Sequence, residues 1–393
     1  MQRNILNHKY FNYFIYSLNA AILLYALISI YKIIVGFAPD YSVFYYSTVD
    51  MLMGKNPYID RHLFTVYNYP PITNLLFMPL VVLPYNYSQA LFTIISFASI
   101  FLIVYLTFKL LDIKLSFKYY ISICSLYFIT FPVKFTLGMG QINLVAYCLL
   151  LYGFYLYTRS RLLHAAIWLC VAILLKPVLV ITLITFLIRK QWKIVLYIVS
   201  IGILLIVLSI IFRQFNLNIY YISNVLSKLV LHSGQVSSSI YYNQGLLAVV
   251  SRFTSHPNII KFIYYFSVLM FTIFTILFAV KSKVKELVLF SILLSLILLI
   301  DPISWQHHFV ILLLPFMLLI KYINKFAHFY KFFIIASYTL ILINVKQPTN
   351  IHIFPNNVFL SHDFIGNIII YILLIHLCYL NYKNDIQLKM KSH

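Results

Sequence analysis

Negative charge is what this sequence most lacks. Eight of its 393 residues are Asp or Glu, against 29 Lys and Arg, and residues of either charge make up 9% of the chain. Soluble domains carry about a quarter charged residues, so this composition excludes a water-soluble fold. Hydrophobic residues at 63%, with a mean hydropathy of +0.92, place the chain in a lipid bilayer instead. Cysteine is scarce as well: Cys124, Cys148, Cys170 and Cys378 all fall inside apolar runs without CxxC spacing. They read as small buried hydrophobes, not as a disulfide framework or a thiolate metal site. Also missing are a DxD-bearing globular segment, a GxGxxG fingerprint and a Walker motif, so a soluble nucleotide-activated substrate has no evident cradle.

What is present is a series of apolar runs, such as "LFTIISFASIFLIVYLTF" and "IVLYIVSIGILLIVLSIIF". They approach the roughly 20 residues that a helix needs to cross about 30 Å of hydrocarbon. Candidate spans cover 11–35, 88–111, 119–137, 142–158, 194–212, 262–280, 286–300, 307–320, 330–345 and 365–381. The first lacks a small-residue cleavage site and reads as a retained span. The expectation is one all-α polytopic membrane domain over 1–393.

The net charge of +21 would suggest nucleic acid in a soluble protein. Here the cations sit in short clusters between apolar runs, the pattern of cytoplasmic loops, and nucleic-acid binding is rejected. The clusters are the N-terminus, Lys109/Lys114/Lys118, Arg159/Arg161, "RKQWK", "KSKVK", Lys321/Lys325 and the C-terminus. One conflict arises, because the apolar segment between Arg161 and Arg189 is basic at both ends. A break at Lys176-Pro177 resolves it: 162–175 and 177–188 become two half-length helices that enter and return. Both termini are then cytoplasmic.

The external side receives 36–87, "GMGQ" at 138–141, Lys176, the loop 213–260, "DPISWQHH" and 346–364 of the C-terminal region 321–393. The unusual polar residues collect there. Among the few acids, Asp40 lies just beyond the first span. Asp50 lies further along a possible helix, Asp60 neighbours Arg61, and Asp112 and Asp385 fall on the cytoplasmic side. Asp40 is the candidate base, against an interfacial cap or ion pair. "YNYPP" must be extended, since each proline restricts the residue before it. "GMGQIN" offers Gln141 and Asn143 at the start of a span. Lys176 inside an apolar hairpin costs a few kcal/mol unless it meets a partner such as an anion. Asn243 and Arg252 are further candidate contacts. His307 and His308 point about 100° apart on a helix, so at least one faces a polar cavity. A carboxylate with such cations suits a negatively charged lipid headgroup and an incoming nucleophile.

These pieces resemble the polyprenyl-phosphate-sugar-dependent transferases of the GT-C superfamily, specifically glycosyltransferase family 87. The matching stretches are "DYSVFYYSTVDMLMGKNPY", "YNYPPITNLLFMPLVVLP", "GQINLVAYCLLL", "AILLKPVLVITLITFLIRKQW", "NQGLLAVVSRF" and "SWQHHFVILLLP", in the family's order. The resemblance implies a GT-C-type bundle of about 10–12 helices that includes a re-entrant or broken pair. It implies transfer of a sugar, mannose first, from a polyprenyl phosphate to a glycolipid or polysaccharide acceptor at the outer face of the plasma membrane. It puts Asp40 at the catalytic position and Lys176, His307 and His308 at the donor phosphate. Arg252, Tyr45, Tyr69, Gln141, Asn143 and Asn243 complete the expected substrate contacts. The expected reaction is one inverting displacement without metal or cofactor. A lipid-linked oligosaccharide ligase or polymerase, a transporter and a scaffold are the rival readings. A transporter calls for internal repeats and polar groups near the midplane, neither of which the sequence displays.

Overall fold

The computed structural model describes residues 2–59, 64–227, 242–282, 284–345 and 356–391. Asp60, Arg61, the stretch 228–241 of the long external segment and residues 346–355 lie outside the described residues. The first half of the chain forms α1 (Gln2–Val35), α2 (Pro39–Leu52), α3 (Pro71–Val81), α4 (Tyr85–Leu110), α5 (Phe117–Ile129), α6 (Phe131–Met139), α7 (Asn143–Thr158) and α8 (Leu162–Leu175). A 3-10 segment (Pro177–Leu183) leads to α9 (Ile184–Ile188), α10 (Trp192–Ser209) and α11 (Phe215–Tyr220). Then follow α12 (Leu246–Phe253), α13 (Pro257–Lys281), α14 (Glu286–Ile300), α15 (Leu313–Lys321), α16 (His328–Leu342), α17 (Asn356–Phe359) and α18 (His362–Lys391).

Each expected span falls on helical structure, although 119–137 is divided between α5 and α6 and 307–320 begins as a 3-10 helix, Gln306–Leu312, before α15. Among the described residues, five stretches are long and apolar enough to cross a bilayer: Asn12–Val35, Tyr85–Leu110, Trp192–Phe212, Pro257–Lys281 and His362–Leu380. The bent pair α5–α6 makes a sixth. The chain is thus an all-α, multi-pass membrane protein. The shorter apolar helices sit inside. α14 buries every side chain from Val288 to Leu299, and α7 buries most of its own. A helix apolar on all sides belongs at the centre of a bundle. α10 and α13 are 17% buried over their most apolar windows and turn Leu, Ile and Phe outward, as lipid-facing helices do.

The break at Lys176-Pro177 is present, with the lysine in an extended conformation between α8 and the 3-10 turn. The chain also enters and returns there. α8 departs from the end of α7 near Arg159, Lys176 lies at its far end, and Phe186 comes back to within 4.8 Å of the Tyr157 ring.

Two local differences from expectation emerge. The span 119–137 bends by 68° at Thr130, because Pro132 supplies no N–H to the preceding turn. Beyond Phe212, where a loop was expected, the chain stays helical to Leu226 through two π-type turns.

The basic clusters share one end of the bundle. Lys118 Nζ donates to Asn12 Oδ1, Lys321 Nζ donates to the carbonyl of Leu111, and Tyr157 donates to Glu286 at 2.9 Å. α4 and α7 run from this end to the opposite one, where Asp40 lies.

Candidate active site

Asp40 occupies the first turn of α2, directly after Pro39 at a position suited to its fixed φ. A carboxylate there meets the positive end of the helix dipole. The elbow between α1 and α2 is fixed by Gln89 of α4. Its side chain accepts from the Ala38 N–H at 3.1 Å and donates to the carbonyls of Ile33 and Gly36, both at 2.9 Å. Tyr41 and Ser88 are hydrogen-bonded, and Ser88 donates to the Leu80 carbonyl at 2.8 Å, tying α2 to α3 and α4.

The turn between α6 and α7 approaches this elbow at Gly140. Its φ of +68° is left-handed, and an added Cβ would lie 2.6 Å from the Tyr41 Cβ and 3.0 Å from the Ala38 Cβ. Only glycine satisfies both demands. The close approach brings Gln141 beside Asp40, where its Nε2 donates to Oδ2 at 2.8 Å. Tyr69 in turn donates to Gln141 Oε1 at 3.4 Å, from the extended strut that enters α3. Thr73 of α3 donates to the Leu174 carbonyl at 3.1 Å and so holds this strut against the end of α8, two residues before Lys176.

Lys176 feels the charges of two carboxylates, Asp301 first and then Asp40. Its Nζ is 2.8 Å from His308 Nε2. With an ammonium donor, Nε2 accepts and the proton of the imidazole sits on Nδ1. Burial raises the Asp40 carboxyl to about 6, while the Gln141 hydrogen bond and the charge of Lys176 act in the opposite direction. His307 packs its ring 5.3 Å from Phe135, 5.9 Å from Trp305 and 4.7 Å from His308. Its carbonyl accepts from Thr136 and from Asn143, each at 3.1 Å. Among the described residues, His307 Nδ1, His308 Nδ1 and Asn143 Oδ1 are buried without a hydrogen-bond partner. Buried polar atoms ordinarily have one. A cavity of about 10 Å³, room for one water-sized group, lies against Asn143, Lys176 and His308.

The structure therefore brings together Asp40, Tyr69, Gln141, Lys176 and His308, with Asn143 and His307 adjoining. It adds Asp301, whose Oδ1 accepts from the Ile303 N–H at 3.1 Å at the end of α14. Its signal lay in the sequence, since it is one of the few acids and heads the "DPISWQHH" segment. Tyr45 sits elsewhere: its hydroxyl donates to the Leu83 carbonyl at 3.0 Å and its ring packs on Tyr46 and Tyr85.

Arg252 and Asn243 stand behind the histidine loop. The Arg252 side chain is fully buried and donates to the Asn243 carbonyl at 2.5 Å, the Leu360 carbonyl at 3.1 Å and Ser361 Oγ at 2.8 Å. Asn243 donates to the Pro302 carbonyl at 3.0 Å and pairs antiparallel with Trp305. Gly245 lets this bridge close, since a Cβ there would meet the Asp301 carbonyl at 2.5 Å. Gln306 approaches His362 at 3.2 Å, and His362 is 3.3 Å from Asp363. Neither His362 nor Asp363 was singled out from the sequence, because nothing in their surroundings repeats or resembles a motif.

Comparison with known proteins yields one match. The model of Glycosyltransferase family 87 covers residues 67–302, well over half of the chain. That range includes Tyr69, Gln141, Asn143, Lys176, Asn243, Arg252 and Asp301, and stops short of Asp40, His307 and His308. No curated protein matches, and neither does a solved structure.

Proposed function

The chain belongs to glycosyltransferase family 87 and is a membrane glycosyltransferase; from that premise we propose that it moves a sugar, mannose first, from a polyprenyl-phosphate donor to a glycolipid or polysaccharide hydroxyl. The single observation carrying this reading is the carboxylate of Asp40, fixed by Gln141 beside the Lys176–His308 pair. Asp40 takes the proton of the acceptor hydroxyl. The acceptor oxygen attacks the anomeric carbon, and the bond from that carbon to the phosphate oxygen breaks. The phosphate leaves with the electron pair on the opposite face, giving inversion. A base with a pKa near the working pH is both ionised and basic enough to take a proton, and burial puts Asp40 in that range.

The leaving phosphate gathers negative charge, which preorganised donors in a dry site stabilise. Lys176 and the unpartnered Nδ1 atoms of His307 and His308 serve that role. Asp301 keeps Lys176 an ammonium despite burial. Tyr69 and Gln141 orient the base, and Asn143 with Thr136 fixes the backbone of the histidine loop. Tyr45 and Arg252 act through the protein: one anchors α2 and the other braces the loop. The basic end faces the cytoplasm by the positive-inside rule, which puts Asp40 at the outer face of the plasma membrane with both termini inside.

The decisive assay incubates the purified protein and an acceptor extract with polyprenyl-phosphate mannose, arabinose and glucose, reading free lipid phosphate. Release from the mannosyl donor is the expected result. Release from none of the three, with turnover of a diphosphate-linked glycan, overturns the reading in favour of a ligase.

A further inference from the structure

The end of the bundle opposite Asp40 carries a second concave site. A cavity of about 350 Å³ opens between the last turn of α4, the turn after it and the end of α7. Lys109, Lys114 and Arg159 line it together with Asp112, Phe108 and Leu115. Three cations around one carboxylate usually collapse into ion pairs, yet none of the three cations lies in a salt bridge with Asp112. Two of them rest instead on their own helices' aromatic rings, Lys109 at 5.4 Å from Tyr105 and Arg159 at 5.2 Å from Tyr155, and Lys114 is exposed. The charges therefore face a space instead of each other. The frame around that space is fixed. Lys321 Nζ caps the Leu111 carbonyl, the Ile113 N–H returns to the Phe108 carbonyl at 3.0 Å, and Asp112 turns the chain with a left-handed φ of +47°.

The cavity lies at the ends of α4 and α7, one of them long enough to cross a bilayer, and so at the depth of lipid headgroups. Its floor and rim are apolar at Phe108 and Leu115, which suits an acyl-bearing ligand approaching sideways. Basic pockets at the ends of spanning helices bind phosphate-bearing headgroups, and Arg with Lys supplies the charge-assisted donors a phosphate takes.

We propose that this cavity is a binding site for a phosphodiester whose head group also carries a hydrogen-bond donor. The phosphate sits on Lys109, Lys114 and Arg159, and the head group's hydroxyl or ammonium donates to Asp112. A membrane phospholipid and free phosphate share the first half of that chemistry and differ in the second. The site is separate from the transferase centre and anchors the basic end of the bundle to its own leaflet.

The test uses full-length protein in micelles doped with phosphatidylglycerol, phosphatidic acid or phosphatidylcholine, counting retained lipids by native mass spectrometry with and without inorganic phosphate. Phosphatidylglycerol should be retained over phosphatidylcholine. The double variant Lys114→Gln/Arg159→Gln should lose that retention by roughly tenfold or more, at about 1 kcal/mol per interfacial cation. Both residues are exposed, so the fold persists. Asp112→Asn keeps the backbone, since Asn tolerates the left-handed region, and should erase the preference for phosphatidylglycerol over phosphatidic acid, which has no head-group alcohol. Displacement of the lipid by inorganic phosphate would assign the site to free phosphate. Equal retention by wild type and double variant would overturn the site altogether.

Discussion

Two buried polar clusters flank the loop 301–308, and they are built on opposite plans. Around Asp40 and Lys176, donors and acceptors come from α2, α6–α7, α8 and the histidine loop, and several polar atoms are left without partners. Around Arg252, the hydrogen bonds run into the chain itself, to the carbonyls of Asn243 and Leu360 and the hydroxyl of Ser361, with the charge of Asp363 nearby. The first cluster sets half-buried Asp40, Tyr69, Gln141 and Lys176 against buried Asn143, His307 and His308, beside a small cavity. The second contains side chains sealed to between 0 and 3% exposure, those of Arg252, Gln306, His362 and Asp363. Both clusters hold buried polar atoms without a hydrogen-bond partner, Asn143 Oδ1 and the two histidine Nδ1 atoms in the first, Gln306 Oε1 and Asp363 Oδ2 in the second. What separates them is the cavity beside Asn143, Lys176 and His308. A polar group sealed against the chain braces structure, whereas one that faces a cavity is open to a ligand.

The sharpest way to test this contrast is to remove the base. Asp40→Asn keeps the shape and the contact with Gln141 but cannot take a proton. Transfer should fall by about 10²–10⁴-fold with donor binding and expression unchanged. Turnover close to wild type would remove Asp40 from the mechanism. Next comes Lys176→Gln, where about 10²–10³-fold should be lost from the rate, with less loss when the leaving lipid phosphate is replaced by a better leaving group. An undiminished rate would make Lys176 a partner of His308 and nothing more.

The second cluster should answer differently. Arg252→Leu strips the donor from the Asn243 and Leu360 carbonyls and from Ser361, and leaving buried polar groups unpaired costs about 1–3 kcal/mol each. The expected outcome is a lower unfolding temperature and yield, with turnover per folded molecule reduced far less than in Lys176→Gln. Thermal unfolding and a rate normalised to folded protein separate these. A variant of full stability and no activity would move Arg252 into the substrate site.

How much of this was legible beforehand follows the range of the interactions. The spans were legible because lipid demands long apolar runs, and the break at Lys176 was marked by Pro177 and by the charge on either side. The bend at Thr130 was hidden, since Pro132 sits within an unbroken apolar pattern. The partner of Asp40 is 101 positions away in Gln141, and no local pattern encodes that distance. The same blindness made Arg252 and Lys176 look alike. Each is a cation in apolar surroundings, and only the fold reveals that Arg252 meets the Leu360 carbonyl, 108 positions along the chain, while Lys176 meets the His308 imidazole and feels the charges of Asp301 and Asp40. Asp301 and Asp363 were visible as acids, but their roles come from what folds against them.

The finest test of the site is a shift in its pH dependence. Asp40 works as the carboxylate, so transfer should fall as pH drops through about 6, where the buried group takes up its proton. The Gln141 hydrogen bond favours the charged form and holds that limb down, opposing the desolvation that raises it. Gln141→Ala removes the bond. The acid limb should then move to higher pH, so that at a fixed pH near the limb the variant loses rate through protonation, while well above it the loss is smaller and reflects only the base's poorer orientation. Gln141→Glu places a second carboxylate beside the first and should push the limb further in the same direction, because like charges disfavour joint ionisation. A structural role for Gln141 would lower the plateau and leave the limb in place, and a limb that moved to lower pH in either variant would contradict Asp40 as the titrating base.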